Sequence, residues 1–235
     1  MSHRERRDKK AKPAPTNSLD EFKFTPANLD LRFSKNLLTV LDGYRIQRTY
    51  DLGFIDKKIG EGDLPRSFVQ QWGTMRKVLT KLAAIGPKVP GVESSLNRKQ
   101  AMSFIGMASL TIAVPILLLT FVFQLGWLAP IGIPLALIAV GMMLISWLTS
   151  AWYNRKVAWL IHDYVEANQA LVSNERRHLK KWVQILIQHI SSLLRKSGET
   201  PEKNLVKFFN NDYNGIEVLK QPGGLRKHYV VRIRL

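Results

Sequence analysis

The dominant feature of the hydrophobic pattern is an uninterrupted apolar stretch in the middle of the chain. No Asp, Glu, Lys or Arg occurs within residues 100–154, although an ordinary amphipathic helix shows polar positions on its solvent face. Gly126 and Pro130 divide the stretch into segments 102–125 and 131–153, each longer than the ~20 residues that cross a hydrocarbon core. The pattern therefore predicts a transmembrane hairpin. The alternative is a very hydrophobic hairpin buried in the core of a soluble protein.

Charged residues flank this hairpin on both outer sides, whereas its connecting turn carries none. Lys and Arg beside a span favour the cytoplasmic face, and Trp favours the boundary between lipid and water. We interpret six residues as membrane-interface anchors: Arg98, Lys99, Trp127, Trp152, Arg155 and Lys156. The sequence predicts a multi-pass protein of the plasma (inner) membrane with both termini in the cytoplasm.

The region before the hairpin divides into a polar tail and a helical part. Residues 1–17 are rich in charge and proline, and this composition predicts a disordered basic tail. Residues 18–99 are predicted to be a cytoplasmic helical region, because apolar positions recur at helical spacing over 29–43 and 64–85. Two prolines and two glycines within 86–97 predict a linker into the first span.

The region after the hairpin, residues 155–235, is predicted to be cytoplasmic and to contain three elements. The second span continues as a long helix to about residue 196, with a hinge at 173–174. A short helix is expected over 200–209. Alternating apolar positions on both sides of a turn at 221–224 predict a C-terminal β-hairpin. The predicted fold class is a mainly α membrane protein with cytoplasmic amphipathic helices and this hairpin.

Two apolar helix faces outside the hairpin are candidate docking surfaces. They contain four large side chains that we predict as a docking stripe: Phe68, Trp72, Leu179 and Trp182. Such a face can bind a partner helix or groove, lie in the membrane interface or pack inside the chain. Packing against the chain's own helices is the commoner outcome for an apolar stripe.

The charge balance indicates an anionic partner or surface. The chain holds 35 Lys and Arg against 18 Asp and Glu, a formal net charge of +17, and both flanks of the hairpin are positive. Four basic residues form the predicted anion- or partner-binding cluster: Arg176, Arg177, Lys180 and Lys181. Like charges four residues apart on a helix repel, and a phosphate or carboxylate nearby would relieve that repulsion. The alternative is a solvated helix face.

The sequence contains no pattern that predicts catalysis or a cofactor. There is no cysteine, the five histidines are scattered, and no phosphate-binding loop or nucleophile motif occurs. The predicted spans carry no ionisable residue that would bind an ion or relay a proton. We therefore predict neither a metal site nor an enzyme.

The leading hypothesis is a non-enzymatic accessory or scaffold subunit of a plasma-membrane protein complex. The expected partners are the lipid bilayer and other proteins of that complex, with no small molecule. A second hypothesis is a membrane tether for RNA, DNA or the ribosome, based on the net charge of +17. A third is a subunit of a transporter or membrane enzyme whose site another chain completes.

Overall fold

The computed structural model of the chain describes residue 19 and residues 21–123, 126–198, 205–223 and 227–235. Within these ranges the chain forms six α-helices and three β-strands. The helices are α1 Leu31–Arg45, α2 Gly53–Gly60, α3 Arg66–Ala83, α4 Val92–Leu117, α5 Ala129–Ala167 and α6 Ser173–Ser197. The strands are β1 Leu205–Phe208, β2 Ile216–Lys220 and β3 Tyr229–Ile233. The mainly helical character is confirmed, and the predicted tail 1–17 lies outside the described residues.

The two helices predicted before the apolar stretch are confirmed as α1 and α3, and local signals set the boundaries of α1. Its first turn follows Asp30, whose carboxylate accepts a hydrogen bond from the Phe33 amide at 2.7 Å. This bond satisfies one of the N–H groups that a helix start leaves unpaired. Just beyond its end, Gln47 adopts a positive φ of 60°, which cannot continue a right-handed helix. α2 was not predicted, because so short a helix barely shows a period.

α4 and α5 are both long and apolar enough to cross a membrane. Gly91 precedes α4 with a left-handed φ of 83°, and the helix begins at Val92. The second half of the predicted linker 86–97 is therefore helical, which corrects that part of the prediction. After its last α-helical residue, α4 continues as one π-helical turn over Leu118–Val122.

Small side chains bring α4 and α5 into close antiparallel contact. A Cβ placed on Gly106 would lie 2.5 Å from Ser146 Oγ, and one on Gly132 would lie 2.8 Å from Thr120 Oγ1. Ser146 Oγ also donates a hydrogen bond to the Met102 carbonyl of the other helix. Contact positions advance along α4 as their partners recede along α5, so the two helices form a hairpin. Glycine at the contact lets the backbones approach closely.

The predicted single helix after the second apolar segment is interrupted. α5 ends at Ala167, where Asn168 leaves the helical region with φ −125° and ψ 46°. Asn168 Nδ2 donates to the Tyr164 carbonyl at 2.9 Å, satisfying a carbonyl that the helix end would leave unpaired. One 3₁₀ turn, Gln169–Leu171, leads into a separate helix, α6. The predicted hinge at 173–174 is thus the first turn of α6, and the break precedes it.

The C-terminal strands form a three-stranded antiparallel sheet in the order β1–β3–β2. The predicted pairing of the last two strands is confirmed, but the short helix predicted over 200–209 is wrong where the structure describes it. There, Val206 and Phe208 are buried between exposed neighbours, and this period of two is that of a strand. Val231 of β3 pairs with Val206 on one side and with Val218 of β2 on the other. β1 therefore stabilises the β2–β3 hairpin, which alone would be marginal in water.

The regions before and after the α4–α5 hairpin share one hydrophobic core. Phe22 and Phe24, which precede α1, pack against Trp182 of α6 with ring centroids 5.4 and 6.5 Å apart. Phe33 of α1 meets Phe68 of α3 edge to face at 5.3 Å. The buried side chains of the sheet belong to the same core. The two flanks of the hairpin therefore fold as one unit, the shared-core domain.

We expect Gly106→Ala to lower the stability of the α4–α5 hairpin by about 1–3 kcal/mol, because the added methyl would overlap Ser146 in a packed contact. Thermal unfolding of the full chain in mild detergent, followed by circular dichroism, measures the effect. The matched control is Gly141→Ala, since a Cβ there meets nothing within 4 Å and alanine favours the helix. Equal midpoints for the two variants would contradict the close contact.

Candidate functional site

The predicted anion-binding cluster is divided by ion pairs within the chain. Its members are Arg176, Arg177, Lys180 and Lys181. Arg176 Nη1 lies 3.5 Å from Glu166 Oε1, and Lys180 Nζ lies 2.7 Å from Asp212 Oδ2. The other two side chains are exposed on α6. The like-charge repulsion between Arg176 and Lys180 is thus relieved by the chain's own carboxylates.

The predicted docking stripe lies inside the shared-core domain. Its residues are Phe68, Trp72, Leu179 and Trp182, and none is more than 4% exposed. The Trp72 indole N–H also donates to Asp56 Oδ1 at 2.9 Å, which satisfies a polar group that would otherwise be buried unpaired. The faces of α3 and α6 that carry these residues pack into the common core, which is the alternative to docking that the sequence left open.

The six predicted membrane-interface anchors lie at opposite ends of the α4–α5 hairpin. Trp127 lies in the short turn between the helices and is 73% exposed. The other five lie at the open end, where the charged residues begin. At that end the ammonium of Lys156 lies 5.4 Å from the centroid of the Trp152 ring, a favourable cation–π contact.

A cavity of about 760 Å³ opens beside α5 at the same end of the hairpin. We call it the α5 cavity and define it by six of its lining residues: Leu148, Trp152, Arg155, Trp159, His162 and Lys227. It combines an apolar end, two indole rings, two cationic side chains and an imidazole. Its volume falls in the range typical of sites for small ligands.

Helical spacing places most of these residues together. The five that come from α5 recur at intervals of three or four positions, which puts them on one face of the helix. The opposite face meets the segment before α4. A Cβ on Gly86 would lie 3.5 Å from Ile161 Cδ1, and one on Gly91 would lie 3.6 Å from Leu160 Cδ1. The α5 cavity therefore lies on the side of α5 that this segment leaves open.

Lys227 reaches the α5 cavity from a distant part of the chain, the connection between β2 and β3. Sequence reasoning identified Trp152 and Arg155 as anchors but did not identify Trp159, His162 or Lys227. The spacing of three or four residues from Trp152 onward could have indicated Trp159 and His162. No local pattern could have indicated Lys227, because its place depends on how the sheet packs.

A buried carboxylate that the sequence did not single out joins α1 to the loop between β1 and β2. Asp42 Oδ1 accepts hydrogen bonds from the Tyr213 hydroxyl at 2.6 Å and from Asn210 Nδ2 at 2.7 Å. Asp42 Oδ2 accepts from the backbone amides of Phe209 and Asn210. Burial raises the pKa of Asp42, and these hydrogen bonds oppose the rise. The carboxylate fixes the position of the loop with all four bonds.

An ion-pair network lies beside this buried carboxylate, at Asp212 of the same loop. Arg45 donates two hydrogen bonds to the Asp212 carboxylate, at 2.7 and 2.9 Å, and Lys180 Nζ lies 2.7 Å from the same group. The bonds from Arg45, with Lys180 nearby, hold the pKa of Asp212 well below its usual range. The Arg45 guanidinium also lies 4.9 Å from the centroid of the Tyr213 ring. α1, α6 and the β1–β2 loop are thereby joined at one point.

No group of three or more His, Asp or Glu residues able to hold a metal ion occurs in the described part of the chain. No protein-family model, curated protein or solved structure matches this chain. Its candidate sites are therefore defined by its own geometry.

We expect Asp42→Asn to lower the free energy of unfolding by about 1–3 kcal/mol, because the amide nitrogen cannot accept and leaves buried donors unpaired. Thermal unfolding of the full chain measures the loss. Asp163→Asn is the matched control, since Asp163 is exposed on α5. A midpoint for Asp42→Asn no lower than that of the control would show that this hydrogen-bond network is dispensable.

Proposed function

We propose that the chain is a two-pass protein of the plasma (inner) membrane, in which α4 and α5 cross the bilayer and carry a folded cytoplasmic domain. The first support is the exposure of their apolar surface. In the most apolar windows of the two helices, only 17% and 22% of the residues are buried within the chain. A helix that is apolar on all sides needs a covering environment, either a protein core or lipid, and this chain supplies little cover.

Individual apolar side chains of α4 and α5 are also largely uncovered by the chain. Phe104 and Met107 of α4 are 74% and 67% exposed, and Leu137 and Trp147 of α5 are 68% and 67% exposed. Leaving one such side chain in water costs about 1.5–3 kcal/mol relative to burying it. A bilayer removes this cost along the apolar part of the hairpin, which favours a membrane environment over an aqueous one.

The shared core supports placing both flanks on one side of the bilayer. Residues 24–82 and 165–233 contribute to a single buried cluster, and a membrane cannot pass between side chains in direct contact. Two antiparallel spans satisfy this condition, because the second span returns the chain to the side from which the first departed. One span alone would separate the flanks.

The distribution of charge supports a cytoplasmic location for this domain. Arg98, Lys99, Arg155 and Lys156 lie at the open end of the hairpin, and the turn at the other end has no charge. Lys and Arg close to the ends of a span favour the cytoplasmic side. The proposed orientation therefore has the turn outside and both termini inside.

We further propose that the protein acts as a non-enzymatic accessory or scaffold subunit of a membrane complex. Residues 100–154 contain no Asp, Glu, Lys, Arg or His that would bind an ion or carry a proton, which supports an anchoring role rather than transport by this chain alone. The shared-core domain is tied together by the Asp42 and Asp212 networks, so it would present a fixed outer surface at the membrane. That outer surface, rather than the buried stripes of α3 and α6, would contact the partner proteins.

A tether for an anionic macromolecule is the second candidate, favoured by the net charge of +17. Arg177 and Lys181 remain exposed on α6, although the neighbouring Arg176 and Lys180 face carboxylates of the chain. Phosphate contacts of this kind weaken steeply as salt concentration rises. Binding of RNA or DNA to the full chain that is absent at low salt, or insensitive to salt, would remove this candidate.

Single cysteines test the orientation, because the natural chain has none. We expect a membrane-impermeant maleimide to label Gly126→Cys in intact spheroplasts, and to label Ser67→Cys and Ser192→Cys only in inverted vesicles. All three positions are exposed, so accessibility reports the side of the membrane rather than burial. Labelling of positions 67 and 192 from opposite sides would overturn the two-pass arrangement.

Gentle solubilisation tests the accessory role. We expect the full chain, extracted in mild detergent at native abundance, to elute in size-exclusion chromatography with other membrane proteins at reproducible ratios. The physical reason is that a scaffold without its own catalytic chemistry acts only through contacts with partners. A monodisperse monomer with no stoichiometric partner would contradict the accessory role but would leave the orientation intact.

A further inference from the structure

The α5 cavity lies where α5 would leave the bilayer. α5 has 39 residues, which correspond to ~58 Å at 1.5 Å per residue, about twice the ~30 Å of a hydrocarbon core. The uncharged part of the sequence ends immediately before Arg155. Leu148 lines the cavity on the apolar side of Arg155, and His162 lines it on the charged side. The cavity therefore extends from the proposed acyl-chain region into the headgroup region.

Within the part of the chain that the structure describes, no carboxylate pairs with the cationic groups of the α5 cavity. Among the described residues that line it there is no Asp or Glu, and neither Arg155 nor Lys227 forms an ion pair with a described carboxylate. Glu166, farther along α5, forms an ion pair with Arg176. Two positive charges that line one cavity, with no Asp or Glu among its described lining residues, favour an anion there.

The indole rings give the cavity an amphipathic character. Trp152 and Trp159 are 56% and 63% exposed, which is costly for so large a ring in water. Trp at the membrane interface places its ring among the upper acyl carbons and its N–H among polar headgroups. A soluble anion would use the charges but would leave the rings and Leu148 uncovered, whereas a lipid covers both.

We propose that the α5 cavity binds the headgroup of an anionic phospholipid. Its phosphate lies between the Arg155 guanidinium and the Lys227 ammonium, and its acyl chains run along Leu148 between the two indoles. This inference rests on the proposed function, since it requires α5 to span the bilayer. Because Lys227 belongs to the shared-core domain and Arg155 to the hairpin, the bound lipid would join the domain to the membrane surface.

The test uses the full chain in nanodiscs that contain phosphatidylglycerol and phosphatidylcholine. Native mass spectrometry measures how much of each lipid stays bound when the protein is released. We expect phosphatidylglycerol to be enriched over phosphatidylcholine on the natural chain. The double variant Arg155→Gln/Lys227→Gln should reduce that enrichment about tenfold, given the size of cation–headgroup attractions. Enrichment that is absent from the natural chain would overturn the proposal.

A matched double variant separates a specific site from bulk charge. Arg66→Gln/Lys77→Gln also removes two positive charges, and both residues are exposed on α3 away from the α5 cavity. We expect this control to keep the enrichment of the natural chain. Equal losses in the two double variants would reduce the effect to net charge and would overturn the site. Unfolding midpoints of both variants verify that each is folded.

A further arm distinguishes a lipid from a free anion. Inorganic phosphate or glycerol phosphate, added in excess to the natural chain in the same nanodiscs, should leave the bound phosphatidylglycerol in place. Displacement by inorganic phosphate would assign the cavity to a soluble anion instead. Failure of the membrane proposal itself would be distinct, because the chain would then not insert and Gly126→Cys would not be labelled from the outside.

Discussion

The contact of Trp182 with Phe22 and Phe24 represents the constraint on which the architecture depends: two segments far apart in the sequence meet in one core. These rings come from opposite flanks of the hairpin and meet at centroid distances of 5.4 and 6.5 Å. Fully burying one such side chain contributes about 1.5–3 kcal/mol. The Asp42 carboxylate adds directional bonds between the same flanks. In the proposed membrane arrangement, the hairpin must therefore return the chain to the side of the bilayer from which it entered, and the packing of the domain requires an even number of spans.

The hairpin and the shared-core domain differ in how their apolar side chains are covered. In the domain, α1 packs against both α3 and α6, and Phe68 and Leu179 are fully buried in the shared core. In the hairpin, contact is confined to a narrow line of small residues such as Gly106 and Gly132, and the large apolar side chains point outward. Tight backbone approach with an apolar exterior is the arrangement expected where lipid, rather than protein, supplies the cover.

The sequence predicted features that depend on local pattern and missed those that depend on distant contacts. The apolar segments, α1 and α3 follow from periodicity alone. Periodicity identifies an apolar face but not what covers it, so the stripe at Trp72 and Trp182 was open to a docking interpretation until their burial was seen. β1 has four residues, too few to separate a strand from a helical turn. Lys227 joins the α5 cavity only through the packing of the sheet.

Positive charge has two separate physical roles in this chain. Arg45 and Lys180 lie against Asp212, where opposite charges fix the geometry of α1, α6 and a loop, and little of their charge acts at a distance. Arg155 has no such carboxylate among the described residues, and neither does Lys227. A positive charge without a carboxylate beside it can attract anions from outside the chain. In the proposed arrangement Arg155 therefore has two roles: its position next to a span favours cytoplasmic retention, and its charge is available to an anionic headgroup.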